Sequence, residues 1–203
     1  FMLKSMVQRL ENAGAEALAM PCNTAHHFAS VIEGAVSIPF LNMVDLSIQS
    51  AALELGEGGR IGVLGSPALR VTGVFAGAAE NHHLKLLYPE DEETLVAIIK
   101  DVKSRGPSAW ATAHLSSIAA QLVEEGAELV MVCCSEFSLL AEKIQCNAPI
   151  FDTLDELVRA CVQFSVGEVQ SPNATALVQP VYGSSTGSNI SSTRLLRKET
   201  AQC

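Results

Sequence analysis

Short apolar runs and longer amphipathic stretches alternate along the first 165 residues. The runs EALAM (16–20), RIGVLG (60–65), LKLLY (84–88) and ELVMV (128–132) are rich in Val, Ile, Leu, Ala and Met, as buried strands are. SIPFLN (37–42) and APIFD (148–152) share that character in weaker form. Between the runs, apolar positions recur at helical period over about 3–13, 24–33, 43–55, 68–80, 91–104, 109–125, 135–143 and 153–164. Strands alternating with helices predict an α/β fold, a mostly parallel sheet covered by helices on both faces. From about Gly167 the periodicity stops, and a Ser-, Thr-, Asn- and Gly-rich stretch to residue 203 reads as a disordered tail.

An internal repeat organises the folded part. Gly14-Ala15-Glu16 recurs as Gly126-Ala127-Glu128, an offset of 112, and at that offset Leu10 matches Leu122 and Cys22 matches Cys134. Downstream, PFLNMVD (39–45) resembles PIFDTLD (149–155) at an offset of 110. Each copy runs helix, GAE, strand, Cys, helix, Pro-strand, helix. The expected architecture is two pseudo-symmetric α/β units facing one another across a cleft. Residues 1–57 form the first, completed by about 148–166, and 58–147 form the second. The second unit opens with a strand at 61–64 whose counterpart would precede residue 1, and that residue is Phe. The first unit is therefore expected to be incomplete, in an N-terminally truncated protein.

Composition narrows the function classes. With 48 % hydrophobic residues the chain is of globular type, and a net charge of −9 argues against a general nucleic-acid-binding surface. No apolar run approaches the roughly 20 residues of a membrane-spanning helix, and the opening FMLKSMVQRLENAG carries charges where a signal peptide is apolar. Six cysteines, at 22, 133, 134, 146, 161 and 203, form neither a CxxC nor a disulfide framework. Reduced thiols in a cytoplasmic setting are expected. Without a secretory signal, the Asn173 and Asn189 sequons read as chance matches.

In open parallel sheets, functional groups gather beyond the carboxyl ends of the strands. Cys22 and Cys134 each take that place, just before a predicted helix whose N-terminus favours thiolate. A single Cys after an apolar run is most often a buried, inert thiol. Two at equivalent places in a repeat suggest one thiol on each side of a bound molecule. One would take an acidic α-proton as thiolate and the other would deliver a proton to the opposite face.

AMPCNTAHHF (19–28), GVLGS (62–66), VMVCCSEFSLL (130–140) and APIFDTLDELVRA (148–160) together resemble the aspartate/glutamate racemase family over about residues 3–165. The resemblance implies cofactor-independent racemisation of aspartate or glutamate, with no pyridoxal phosphate and no metal, by a homodimer. It makes Cys22 and Cys134 the acid–base pair. It implies that Asn23, Thr24 and Ser135 hold the substrate, with Ser66 in the second unit's turn and Lys103 on a carboxylate. Three departures stand out. The family's Gly-rich opening loop and carboxylate-binding Arg are expected to lie in the segment missing ahead of residue 1. The turn usually reading GTxxT is Gly65-Ser66-Pro67-Ala68-Leu69, and Cys133 replaces a Gly. A catalytically impaired chain that binds a small dicarboxylate or a partner subunit is the competing class. A related hydantoin racemase, maleate isomerase or decarboxylase of small acids is the other alternative.

Several other residues carry lesser expectations. His26 matches the motif and is placed near the site, whereas His27 reads as an ordinary side chain. His82, His83 and His114 lack partners at zinc-ligand spacing. Cys146, Cys161 and Cys203 read as non-catalytic. Arg70 is a candidate substitute anchor for a carboxylate. GEGGR (56–60) is a linker rather than a phosphate loop, and the acidic run 90–93 suits a helix start.

Overall fold

The computed structural model describes residues 2–167, so most of the Ser-rich stretch, with Asn173, Asn189 and Cys203, lies outside the described residues. α1 (Met2–Asn12) leads through β1 (Leu18–Ala19), a 3-10 turn (Thr24–Phe28), α2 (Ala29–Glu33) and β2 (Phe40–Leu41) to α3 (Met43–Leu55). Then come β3 (Arg60–Gly65), α4 (Ala68–Thr72), α5 (Ala76–Asn81), β4 (Lys85–Leu87), α6 (Glu92–Arg105) and α7 (Ala109–Glu124). β5 (Leu129–Cys133), α8 (Ser135–Ser138), a 3-10 turn (Ala141–Lys143), β6 (Ile150–Asp152) and α9 (Thr153–Ser165) complete the described chain. Helix starts follow their capping residues. Asn42 accepts from the Val44 and Asp45 N–H groups, Asp91 from Thr94, Ser108 from Ala111 and Asp152 from Leu154. Each such cap satisfies an otherwise unpaired helix donor, at about 1 kcal/mol.

Among the described residues all strand pairings are parallel, in a two-stranded sheet β1-β2 and a four-stranded sheet ordered β4-β3-β5-β6. β5 shows why the larger sheet needs two covered faces. Leu129, Met131 and Cys133 pack with Ile48, Leu69, Phe75 and Phe151 on one side. Val130 and Val132 pack with Ile98, Leu115 and Phe137 on the other. All five residues of β5 are at most 2 % exposed. Each buried aliphatic or aromatic side chain is worth about 1.5–3 kcal/mol.

The repeat is visible in the backbone. α1 and α7 both end in a left-handed glycine, Gly14 (φ 92°) and Gly126 (φ 102°). Ala15 N–H returns to the Leu10 carbonyl as Ala127 N–H does to Leu122. Glycine enters this conformation without the steric cost that a Cβ brings. Strand register repeats as well: Leu18 pairs Phe40 as Val130 pairs Ile150, the same offsets of 112 and 110.

Three predicted helices are interrupted. The stretch 24–33 opens as a 3-10 turn, 68–80 breaks at the left-handed Gly73 (φ 62°), and 135–143 divides after Ser138. The segment 148–166, expected to complete the first unit, is shared. Its strand β6 hydrogen-bonds to β5 in the larger sheet, while α9 packs against α3 and β2. Phe151 in the larger sheet's core holds the strand there.

Candidate active site

In the larger sheet the chain passes from β3 outward to β4 and then to β5 on the other side, so connections diverge between β3 and β5. Open α/β sheets bind ligands beyond the carboxyl ends of the strands at such a point. Gly65 at the end of β3 pairs with Cys133 at the end of β5. Ser66 and Cys134 therefore leave neighbouring strands side by side. A Cβ on Gly65 would lie 2.5 Å from Leu69 Cδ1 and 3.1 Å from the Cys133 carbonyl oxygen, so glycine is what lets these strand ends close up. Ser66 Oγ faces the Ala68 N–H at 3.4 Å, and α4 packs against the 3-10 turn that follows Cys22.

Cys22 is exposed. Its neighbour Asn23 is buried and donates from Nδ2 to Thr153 Oγ1 at 2.9 Å. The Thr153 hydroxyl donates in turn to the Val132 carbonyl at 3.0 Å, two residues before Cys134. Thr153 thus ties the two cysteine-bearing segments together. Asn23 Oδ1 is buried without a hydrogen-bond partner among the described residues. Thr24, half-buried, opens the 3-10 turn.

His26 fixes the carbonyl of Cys22. Its ring is buried, Nδ1–H donates to the Cys22 oxygen at 2.8 Å, and Nε2 accepts the Met43 N–H at 3.1 Å. The ring also stacks on Phe40. These two bonds set the tautomer, and desolvation holds the imidazole below its ordinary pKa.

Cys134 stands at the start of α8 without a side-chain bond to the helix's backbone N–H groups, and it departs from the sequence expectation. A helix start favours thiolate, but α8 has only four residues, and burial followed by the hydrogen bond to Glu136 pushes the thiol up to about 12. Sγ donates to Glu136 Oε2 at 3.0 Å, and Lys103 Nζ lies 3.4 Å from Glu136 Oε1. Burial works against the Glu136 carboxylate, but the thiol, its own N–H and Lys103 outweigh it and carry the carboxyl below its usual value. Exposed Ser135 lies 3.4 Å from the same Oε2. Lys103, Ser135 and Cys134 thus meet at Glu136. Thr153 and Glu136 were missed by sequence reasoning. Glu136 lay within the quoted motif, but no local signal marks Thr153, 130 positions from Asn23.

The remaining candidates resolve simply. Cys133 fits without a left-handed backbone, turns to the opposite sheet face from Cys134, and donates to the Met131 carbonyl at 3.3 Å. Burial, then Asp152, drives its pKa well up, which leaves an inert thiol. Arg70 is engaged elsewhere, on the Tyr88 and Pro89 carbonyls and 3.7 Å from Glu92, so it is no substitute anchor. Cys146 donates to the Ala148 carbonyl. Among the described residues no His/Cys/Asp/Glu cluster fits a metal, and no helix is long and apolar enough to cross a membrane.

Comparison with known proteins converges on one family. The chain is 22 % identical over 160 residues to the broad specificity amino-acid racemase RacX of Bacillus subtilis (strain 168), covering 76 % of this chain and 66 % of that relative. A Yersinia pestis structure provisionally designated an Asp/Glu racemase superposes with a TM-score of 0.70 at 25 % identity, over 81 % of this chain and 73 % of the other. The aspartate racemase of Picrophilus torridus shares the fold at a TM-score of 0.68 and 22 % identity, over 82 % and 68 %. Residues 2–161 match the family profile of the Asp/Glu/hydantoin racemases, a span that takes in Cys22, the β3–β5 divergence and Cys134. The chain belongs to the Asp/Glu/hydantoin racemase family.

Proposed function

We propose that this chain carries the chemistry of an amino-acid racemase acting on aspartate or glutamate, with Cys22 and Cys134 as its acid–base pair and no cofactor. The observation that carries this reading is the hydrogen-bonded path from Asn23 through Thr153 to Val132, which couples the segment of one cysteine to the strand of the other. The thiolate of one cysteine removes the α-proton, the electron pair stays on the α-carbon and its carboxylate, and the other thiol returns a proton to the opposite face. Such positioned proton transfer typically contributes about 10²–10⁴-fold. Thr24, Ser66, Ser135 and Lys103 supply donors suited to the substrate's carboxylates, whereas Asn23, expected from the resemblance to hold substrate, is buried with its amide N–H on Thr153 and braces the segment of Cys22.

The test is proton NMR of L- and D-aspartate and L- and D-glutamate with the protein in heavy water. Loss of the α-proton signal with appearance of the other enantiomer is expected. Each of Cys22→Ser and Cys134→Ser should slow it at least 100-fold, as loss of a positioned acid or base does. No exchange by folded protein would remove the racemase reading, and binding of the acids without exchange would place the chain in the binding class instead.

A further inference from the structure

The carboxylate of Glu136 sits between a thiol and an ammonium. Cys134 Sγ donates to one oxygen at 3.0 Å, and Lys103, from the last turn of α6, faces the other at 3.4 Å. We propose that Glu136 is a positioning residue that fixes the proton on Cys134, so that in the resting chain Cys134 is the acid and Cys22 the base. This assignment of roles rests on the two-cysteine reading above.

A carboxylate that accepts a thiol's hydrogen bond stabilises the protonated form, and its negative charge opposes thiolate formation. Lys103 works the other way on the thiol but holds the carboxylate ionised and in place. The titratable groups around Cys134 are few. Glu136 lies on α8 itself, Lys103 comes from α6 and Cys133 from β5, and Asp152 at the end of β6 is bonded by Ser138 of α8. Burial and then Asp152 act on Cys133, which turns to the far face of the sheet, while burial, the Leu154 N–H and the Ser138 hydroxyl set Asp152. Among these groups, Glu136 alone accepts the Cys134 proton.

Polarity of this kind is subject to a constraint. L and D enantiomers have equal free energy, so kcat/KM is the same in both directions whatever Glu136 does. Its effect therefore shows in the state of the thiol, and in kcat and KM moving together.

The thiol can be read without substrate. Iodoacetamide alkylates the thiolate, so well below the pKa the rate scales with thiolate fraction. Peptide-resolved mass spectrometry separates Cys134 from Cys22 in one sample. At pH 8, Glu136→Gln should alkylate at Cys134 about tenfold faster than the unmodified protein, equivalent to about one pKa unit. Lys103→Met should react more slowly, with Cys22 unchanged in both. Opposite signs from two neighbouring substitutions are not the result of general loosening. Equal Cys134 rates in all three proteins, or a Cys22 rate that rises in step, would overturn the proposal. That failure is distinct from failure of the racemase reading, which only α-proton exchange decides.

Discussion

The side-chain amide of Asn23 and the hydroxyl of Thr153 meet at 2.9 Å across 130 positions of sequence. Because that hydroxyl also bonds the Val132 carbonyl, removing it cuts both hydrogen bonds of the bridge at once and takes this partner from the buried Asn23 amide. An unsatisfied buried group costs about 1–3 kcal/mol. Thr153→Val should lower stability by about 2 kcal/mol in urea titration, a loss of the size that stranded polar groups produce. Thr153→Ser keeps the hydroxyl and should lose about 0.8 kcal/mol, the value of one methyl group. Equal losses would show that the methyl, not the bridge, holds the segments together.

Neighbouring cysteines should separate stability from chemistry. Cys133 is buried in the core, so Cys133→Ser should cost about 1–2 kcal/mol of stability, the scale of a poorly paired buried hydroxyl. Its α-proton exchange should remain within tenfold of the unmodified protein. Cys134→Ser should show the reverse, near-native stability with exchange lost by about 100-fold or more. A reversed ranking in the exchange assay would move the second site by one residue.

Acid should loosen the His26 clamp. Desolvation holds the folded imidazole below the ordinary value of 6.5, so the unfolded chain takes up that proton first. The stability from neutral His26 is fully present above about pH 6.5 and declines as pH falls from there toward the folded pKa. Protonation also turns Nε2 into a donor facing the Met43 N–H. Urea midpoints between pH 7.5 and 5 should fall, and His26→Gln should remove part of that slope. An identical slope in both proteins would assign the pH dependence to other groups.

Gly65 and Gly77 make a contrasting pair. A Cβ at 65 meets Leu69 and the Cys133 backbone, whereas at 77, inside α5, nothing lies within 4 Å. Gly65→Ala should destabilise by about 1–3 kcal/mol through overpacking, and it should slow exchange by spreading the strand ends that carry Ser66 and Cys134. Gly77→Ala should stabilise by about 0.4–1 kcal/mol, since it lowers the entropy of the unfolded chain. Thermal unfolding of both decides it.

Much of this was legible because local rules and tertiary packing agree. Asn42, Asp91, Ser108 and Asp152 start helices where their side chains cap them, and the glycines of the two GAE copies stop helices where only glycine turns easily. The breaks at Gly73 and after Ser138 were harder, since apolar residues such as Val74, Phe75, Leu139 and Leu140 continue through them. The larger sheet's core captured β6, which a reading of repeats alone assigned elsewhere. At the candidate site, the motifs that carry Cys22, Asn23 and Cys134 stand out in the sequence. The environment of Cys134 does not, because its burial and the approach of Lys103 come from packing α6 against α8. Helix position alone argued for a thiolate, and desolvation reversed it.

The shared register and caps of the two halves are what duplication of a single unit leaves behind. On the proposed two-cysteine reading, such an ancestor would place the same thiol on both sides of its substrate, and identical thiols give no preference for which one starts protonated. At the repeat offset of 112, the position of Glu136 corresponds to Thr24. On that proposed reading, a neutral hydroxyl in one copy and a carboxylate in the other is the divergence of one side chain that would give the pair its direction.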